Sequence, residues 1–260
     1  MQITLLDVDN RQPQNFKLHR ENGRGDYLFV LFKSPARVMA GDQYVDVDRG
    51  YCIFFDKNKI QSSHPRPSLE FVHDFMHFDL ENGYEMFLFS DIPKGELIPV
   101  SLPELISDAL RTIQTEFNSN FSEYKADILT HLVTVFLYRI KNELQHNDIH
   151  PKKRASFQVL YQLRTQIYHC PQRSLSIEEM CRQTCMSRSY LQHLYKAFFG
   201  VSCTEDVIAA RIAHAKRLLL TSDFFVQEVA EACGYQNAPH FIRQDRQLTG
   251  ISPEKFRRQS

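Results

Sequence analysis

Ser187-Arg-Ser-Tyr-Leu-Gln-His-Leu-Tyr-Lys-Ala-Phe-Phe-Gly-Val-Ser202 is the stretch whose reading decides the fold. A second segment, Asn237-Ala-Pro-His-Phe-Ile-Arg-Gln-Asp-Arg-Gln-Leu-Thr-Gly-Ile-Ser252, follows the same plan, with Gly250 standing fifty residues after Gly200. In the first segment Leu191, Leu194, Tyr195 and Phe198 recur at i, i+3, i+4 and i+7, which gives a helix with one apolar face. Each segment follows a shorter amphipathic helix. The first of these starts at Ser176, where Ser176 and Glu179 have capping-box spacing; the second is Val226 to Cys233, stopped by Gly234. Helix, tight turn and second helix, occurring twice, predict two helix-turn-helix motifs in an all-α unit.

The face opposite Leu191 and Leu194 carries Arg188, Ser189, Gln192, His193 and Lys196. Arginine can read guanine and glutamine adenine in the major groove, while lysine neutralises phosphate. The equivalent positions of the second segment are Ala238, His240, Arg243 and Arg246. Double-stranded DNA is the partner this chemistry points to, with the two recognition helices about 34 Å apart. Glu205 to Thr221 reads as one long helix between the motifs, bearing Arg211, Lys216 and Arg217. The competing reading, a helical bundle with a merely solvated charged face, does not explain the duplication.

Charge divides the chain at the same place. Residues 151–260 hold 16 Lys and Arg against 9 Asp and Glu, a net +7, and residues 1–150 hold 15 against 22, a net −7. The 260-residue chain is therefore neutral only in sum, and two domains with different partners are expected. The polar, proline-containing stretch Gln145 to Arg154 is the expected linker. Hydrophobic residues make up 43% of the chain and charged ones 24%, enough for a real core and against wholesale disorder. No apolar run reaches membrane-spanning length, and the acidic start lacks the plan of a signal peptide, so a cytoplasmic location is expected. Six cysteines (52, 170, 181, 185, 203 and 233) lack zinc-site spacing and are read as small apolar residues packed in helices, without disulfides.

The first hundred residues read as strands. Tyr27–Phe32, Gln43–Val47, Tyr51–Phe55 and Leu69–Phe78 have high β-propensity and are separated by turn signals. Such spacing predicts a sandwich or a small barrel over residues 1–100, whose mouth would hold a small-molecule effector near Arg24, Tyr44, His64 or His77. His73 and His77 stand four apart, about 13 Å along a strand, so they do not share an ion by themselves; no metal and no cofactor are expected. Residues 101–150 read as helices, the first starting at Pro103 and ending near Asn118-Ser-Asn120. The second carries a broad apolar stripe from Ile128 to Leu144. Such a stripe packs on its own domain or on a second copy, and the second case makes Leu132, Phe136 and Ile140 the expected dimerisation residues.

The last hundred residues resemble the arabinose-regulator (AraC/XylS) family of bacterial transcription factors. The resemblance rests on Arg211, Ala215 with Leu219, Val229-Ala230 with Gly234-Tyr235, and Gly250-Ile-Ser252-Pro253-Glu-Lys-Phe256-Arg257. It covers about 40% of the chain. It implies seven helices with two motifs entering successive major grooves, a homodimer, contact with RNA polymerase if the protein is an activator, and no enzymatic activity. The N-terminal half is similar to the family's cupin-like effector domains through its strands, the Gly50 to His64-Pro65 region and His77-Phe78. The family favours sugars as effectors, without being confined to them. Control of the N-terminal domain by a protein partner is the alternative. A cupin enzyme fused to a DNA-binding domain is disfavoured, because no His-x-His pair is present. Asp245 and Gln244 stand where the family has apolar residues, and Asp206 where it usually has Tyr. An unpaired buried carboxylate is costly.

Overall fold

The computed structural model describes residues 1–67, 69–80, 83, 85–119, 123–145, 151–173 and 175–259. Half of the expected linker, residues 146–150, and Asn120 at the expected helix break lie outside them. The chain separates into two compact units, Met1–His150 and Pro151–Ser260.

In the first unit, β1 (Gln2–Gln12), β8 (Phe71–Asp79), β3 (Tyr27–Phe32), β6 (Tyr51–Phe55) and β9 (Leu97–Pro99) form a five-stranded sheet in that order. A four-stranded sheet has the order β2 (Leu18–Arg20), β7 (Gln61–Pro65), β4 (Ala36–Ala40), β5 (Gln43–Val47). Neither sheet closes, and among the described residues no strand of one pairs with a strand of the other. Of the two expected arrangements, a sandwich or a closed barrel, the two open sheets give the first.

The continuous apolar run of β3 follows from this layering. Leu28, Val30 and Phe32 join Ala36, Val38, Val47, Ile53 and Phe55 in the core between the sheets. Tyr27, Phe29 and Leu31 join Cys52, Phe54, Met76 and Phe78 in a second core, against helices α1 (Pro103–Asn118) and α2 (Lys125–Gln145). A strand covered on both faces needs no polar side.

That second core also holds the α2 stripe. Phe136 and Ile140 are fully buried, Leu132 is partly buried, and the Phe136 ring meets Phe29 edge-on at 4.9 Å. The stripe expected to face a second copy therefore faces the chain's own sheet. Ile128, Val135 and Tyr138 are the apolar residues that α2 leaves exposed.

The second unit contains seven helices among the described residues: α3 (Pro151–His169), α4 (Ile177–Thr184), α5 (Arg188–Phe199), α6 (Cys203–Thr221), α7 (Val226–Ala232), α8 (Ala238–Thr249) and α9 (Pro253–Gln259). Residues 151–154, expected as linker, belong to α3. The long helix α6 joins two small cores. Ala210 packs with Leu160, Leu163, Met180, Leu191 and Tyr195, while Ile212, Ala215 and Leu219 pack with Val229, Tyr235 and Phe241.

Local chemistry sets the helix ends. Ser176 accepts from the Glu179 amide, but the Glu179 carboxylate is engaged by Arg182 and Gln183. The reciprocal box forms instead at Ser202 and Glu205, opening α6. Gly200 and Gly250 close α5 and α8 in the left-handed conformation that favours glycine. Gly234 is also left-handed, and a Cβ there would sit 2.5 Å from the Gln172 carbonyl oxygen, so the α7–α8 turn approaches the α3–α4 turn too closely for any side chain. The cysteines are all free. Cys52 is buried in β6 rather than in a helix, and Cys170 and Cys185 are exposed at helix ends.

Candidate nucleic-acid interface

Helices α5 and α8 are built alike. Ser187 caps the first through the Tyr190 amide and Asn237 the second through the His240 amide. Leu191, Leu194 and Tyr195 hold one face of α5 in the core, and Phe241 and Asp245 do so for α8. The opposite faces point to solvent. On α5, Arg188, Ser189, His193 and Lys196 are exposed and Gln192 is half-buried. On α8, His240, Arg243 and Arg246 are exposed, whereas Ala238 is partly buried against the second small core. Among the described residues none of Arg188, Arg243 and Arg246 is in an ion pair, so their donors are free for an external acceptor.

Some surface residues were not anticipated. Tyr190 is half-exposed beside Arg188 and Ser189. Pro239, Ile242, Arg243, Arg246 and Gln247 line one shallow depression along α8. Their spacing follows helical periodicity, so the face was readable once Phe241 and Asp245 were known to point inward. An exposed isoleucine there can meet a thymine methyl.

Three basic residues of α6 and α9, Arg211, Lys216 and Arg257, are engaged within the unit. Arg211 donates from Nε to the Pro171 carbonyl at 3.1 Å and lies over the Tyr235 ring. Lys216 lies over the Phe256 ring, and Arg257 donates to the Leu219 and Phe224 carbonyls. These contacts hold the second motif to the long helix.

The two unexpected carboxylates have different surroundings. Asp206 accepts from the Tyr195 hydroxyl at 2.7 Å, the Tyr168 hydroxyl at 2.7 Å and Arg164 Nε at 2.8 Å. It ties α3, α5 and α6 together. Asp245, 2% exposed, has no ion pair and no side-chain hydrogen bond among the described residues. Burial pushes its carboxyl above the ordinary value, and Lys216 pulls the other way. A folded-state value above the unfolded one means that the folded chain binds this proton more tightly, so the group favours folding below that window and costs stability as pH rises through it. Asp245→Asn is therefore expected to raise the urea midpoint at pH 7, with the gain shrinking as pH approaches 4. A midpoint unchanged or lowered at pH 7 would show that the carboxylate is satisfied.

In the first unit a cleft of 130 Å3 opens between the sheets. It is lined by Leu5, Phe16, Leu18, Leu28, Val30 and Phe75 together with Asn10, Gln12, Arg20, Ser63, His73 and His77. Of the four expected effector residues, His77 lines it. The Tyr44 hydroxyl lies 2.8 Å from Ser62 Oγ, His64 Nδ1 lies 3.0 Å from the Pro65 carbonyl, and Arg24 is exposed. Arg20 and His73 were missed, because the short strand β2 carries no alternation signal and strand phase is set only by pairing. No group of three or more His, Cys, Asp or Glu among the described residues is placed to hold a metal, and no described helix is long and apolar enough to cross a membrane.

The family model described as "Helix-turn-helix domain" matches residues 180–259. The uncharacterized HTH-type transcriptional regulator YtdP of Bacillus subtilis (strain 168) is 33% identical over 93 residues, 36% of this chain and 12% of that protein. The arabinose operon regulatory protein of Escherichia coli (strain K12) is 30% identical over 89 residues, 34% of this chain and 30% of that protein. The HTH-type transcriptional activator RhaR of Enterobacter sp. (strain 638) is 22% identical over 274 residues, covering 97% of this chain and 91% of that protein. The chain thus spans less than a third of YtdP and of the arabinose regulator, and nearly all of RhaR. Residues 180–259 thus carry a helix-turn-helix domain of the AraC type, the part of the chain that is similar to DNA-binding transcription regulators.

Proposed function

We propose that α5 and α8 are the recognition helices of a sequence-specific regulator, and that the N-terminal unit governs it by taking a small molecule into the cleft between its sheets. The observation that carries the DNA reading is the pair of like-capped helices, each anchored by a buried face and presenting outward arginine (Arg188 on α5, Arg243 and Arg246 on α8) that is in no ion pair among the described residues. In this reading Arg188, Gln192 and His193 on α5, and His240, Arg243 and Ile242 on α8, reach base edges, while Ser189, Lys196 and Arg246 hold phosphates. Arg243 is the best base reader of α8. The protein acts in the cytoplasm, as a homodimer, and meets RNA polymerase if it activates. The exposed face of α2, with Ile128, Val135 and Tyr138, is the surface left for self-association once Phe136 and Ile140 are committed to the core.

Binding to an operator found by genomic footprinting tests the recognition assignment. Gln192→Ala should cost about 1–3 kcal/mol at one base position and relax preference there. Lys196→Ala should weaken all sequences alike and lower the salt slope by about one unit. Uniform losses for both across a base-scanned operator would place the wrong face in the groove. Specificity that survives Arg243→Ala would make α8 a backbone-holding helix only.

A further inference from the structure

The cleft between the sheets carries an incomplete electrostatic arrangement. Arg20 is partly buried at its wall. One nitrogen, Nη1, makes both of its protein contacts, to Gln61 Oε1 and to His77 Nε2, each at 3.3 Å. Among the described residues Arg20 has no carboxylate within ion-pair distance. Nη2 and Nε, one edge of the planar fork, are left open. That edge matches a carboxylate bidentately.

The neighbouring groups do not supply the missing charge. A guanidinium only donates, so His77 Nε2 accepts and its Nδ1 donates to Asp26 Oδ1 at 2.9 Å. His77 is then the neutral tautomer, in line with burial holding it below its ordinary value despite Asp26. Burial likewise lowers His73 to about 4. Asp26 is spoken for by Thr4 Oγ1 and His77. Arg24 also acts on Asp26 and His77, and Asp7 acts on His73. Among the described residues, His73 Nδ1, on a ring lining the cleft, has no hydrogen-bond partner, and neither has Nε2 of the Gln61 amide that Arg20 holds from behind the wall.

Half of the lining is apolar (Leu5, Phe16, Leu18, Leu28, Val30 and Phe75), Asn10, Gln12 and Ser63 complete the polar half, and the volume is 130 Å3. A cavity of about 150 Å3 takes a benzene-sized body. A sugar, with hydroxyls all round its ring, would turn some of them against the apolar half of the wall, whereas a ligand with one polar end matches a wall that is polar on part of its lining only. From this geometry we propose that the cleft binds a small monocarboxylate with a compact apolar body, its carboxylate on the open edge of Arg20 and its body between the sheets. The inference rests on the reading of this unit as an effector domain and narrows it to one ligand class.

Calorimetric titration of the full chain tests it, with 3-methylbutanoate, its uncharged isostere 3-methylbutanamide, and L-arabinose as a neutral polyhydroxy compound. The acid should bind at least about tenfold more tightly than the amide. Arg20→Gln should erase that difference, Arg20→Lys should keep part of it, and Leu18→Trp, narrowing the cleft, should weaken the acid by a similar factor. Circular-dichroism melts identify any variant that fails to fold, and Arg20→Lys then decides the charge requirement. Equal binding of acid and amide overturns the proposal. Binding of arabinose alone, lost in Leu18→Trp, overturns it but keeps the effector reading. Binding of none of the three overturns the proposal and counts against the effector reading too.

Discussion

Asp206→Ala is expected to destabilise the C-terminal unit by about 3–5 kcal/mol, the usual cost of removing one partner from a buried ionic cluster. The carboxylate, on α6, takes hydrogen bonds from Tyr195 on α5 and from Tyr168 and Arg164 on α3, so three helices meet at it. Tyr195 is fully buried, so its hydroxyl would have no water to turn to. Burial and the adjoining carboxylate push that hydroxyl's pKa well up, so it remains a donor at any ordinary pH. Arg164, stacked on Phe199 at 4.6 Å, would keep its charge beside an apolar ring with no counterion. Asp206→Asn, which keeps one acceptor oxygen, should cost less. Urea unfolding of the full chain, followed with a probe confined to residues 151–260, measures both. A loss below about 1 kcal/mol for the alanine variant would mean that solvent replaces the carboxylate freely. DNA affinity should fall in step with stability, because Tyr195 lies on the inward face of α5, the helix proposed to enter the groove.

Phe136→Ala is expected to cost the N-terminal unit about 3–5 kcal/mol. Its ring touches Phe29 and Phe54 and closes the core between the five-stranded sheet and α2. Val135, next in sequence and half-exposed, should tolerate Ala within about 0.5 kcal/mol. Self-association should respond the other way round. Val135→Glu, on the outward face, should shift the sedimentation profile towards monomer while the unit remains folded. Should Val135→Glu leave that profile unchanged, the exposed face of α2 is not the surface on which copies meet.

The contrast between these two neighbours shows what periodicity conveys. The spacing from Ile128 to Leu144 correctly marks a helix with an apolar stripe, yet it does not say what covers the stripe. The presence of an uncovered sheet face beneath α2 decided that, and no local signal encodes it. The strands behave similarly. Tyr27–Phe32 and Tyr51–Phe55 were legible from propensity, but β1, β2, β4, β7 and β9 were not, because part of their side chains face solvent or are polar and their pairing is long-range.

Asp206 and Asp245 make the same point for the helical unit. Both depart from the expected apolar or aromatic residue, and both are buried. Sequence cannot distinguish them. Only the arrangement of α3, α5 and α6 brings three donors to Asp206, whereas Asp245 meets no such group among the described residues.

By itself the amino-acid sequence determined the features that repeat or act over a few residues. It specified a helical C-terminal region with a helix-turn-helix domain, the glycines ending α5 and α8, the exposed polar face of α5, and the change of charge near residue 150. Each depends on backbone propensity, capping or helical periodicity, which are local. The tertiary structure alone decided which sheets face each other, which face of α2 is covered, and that Arg20, His73 and His77 meet at one cleft. Those depend on strand register and on packing between segments far apart in the chain, where a shift of one residue exchanges the buried and exposed faces.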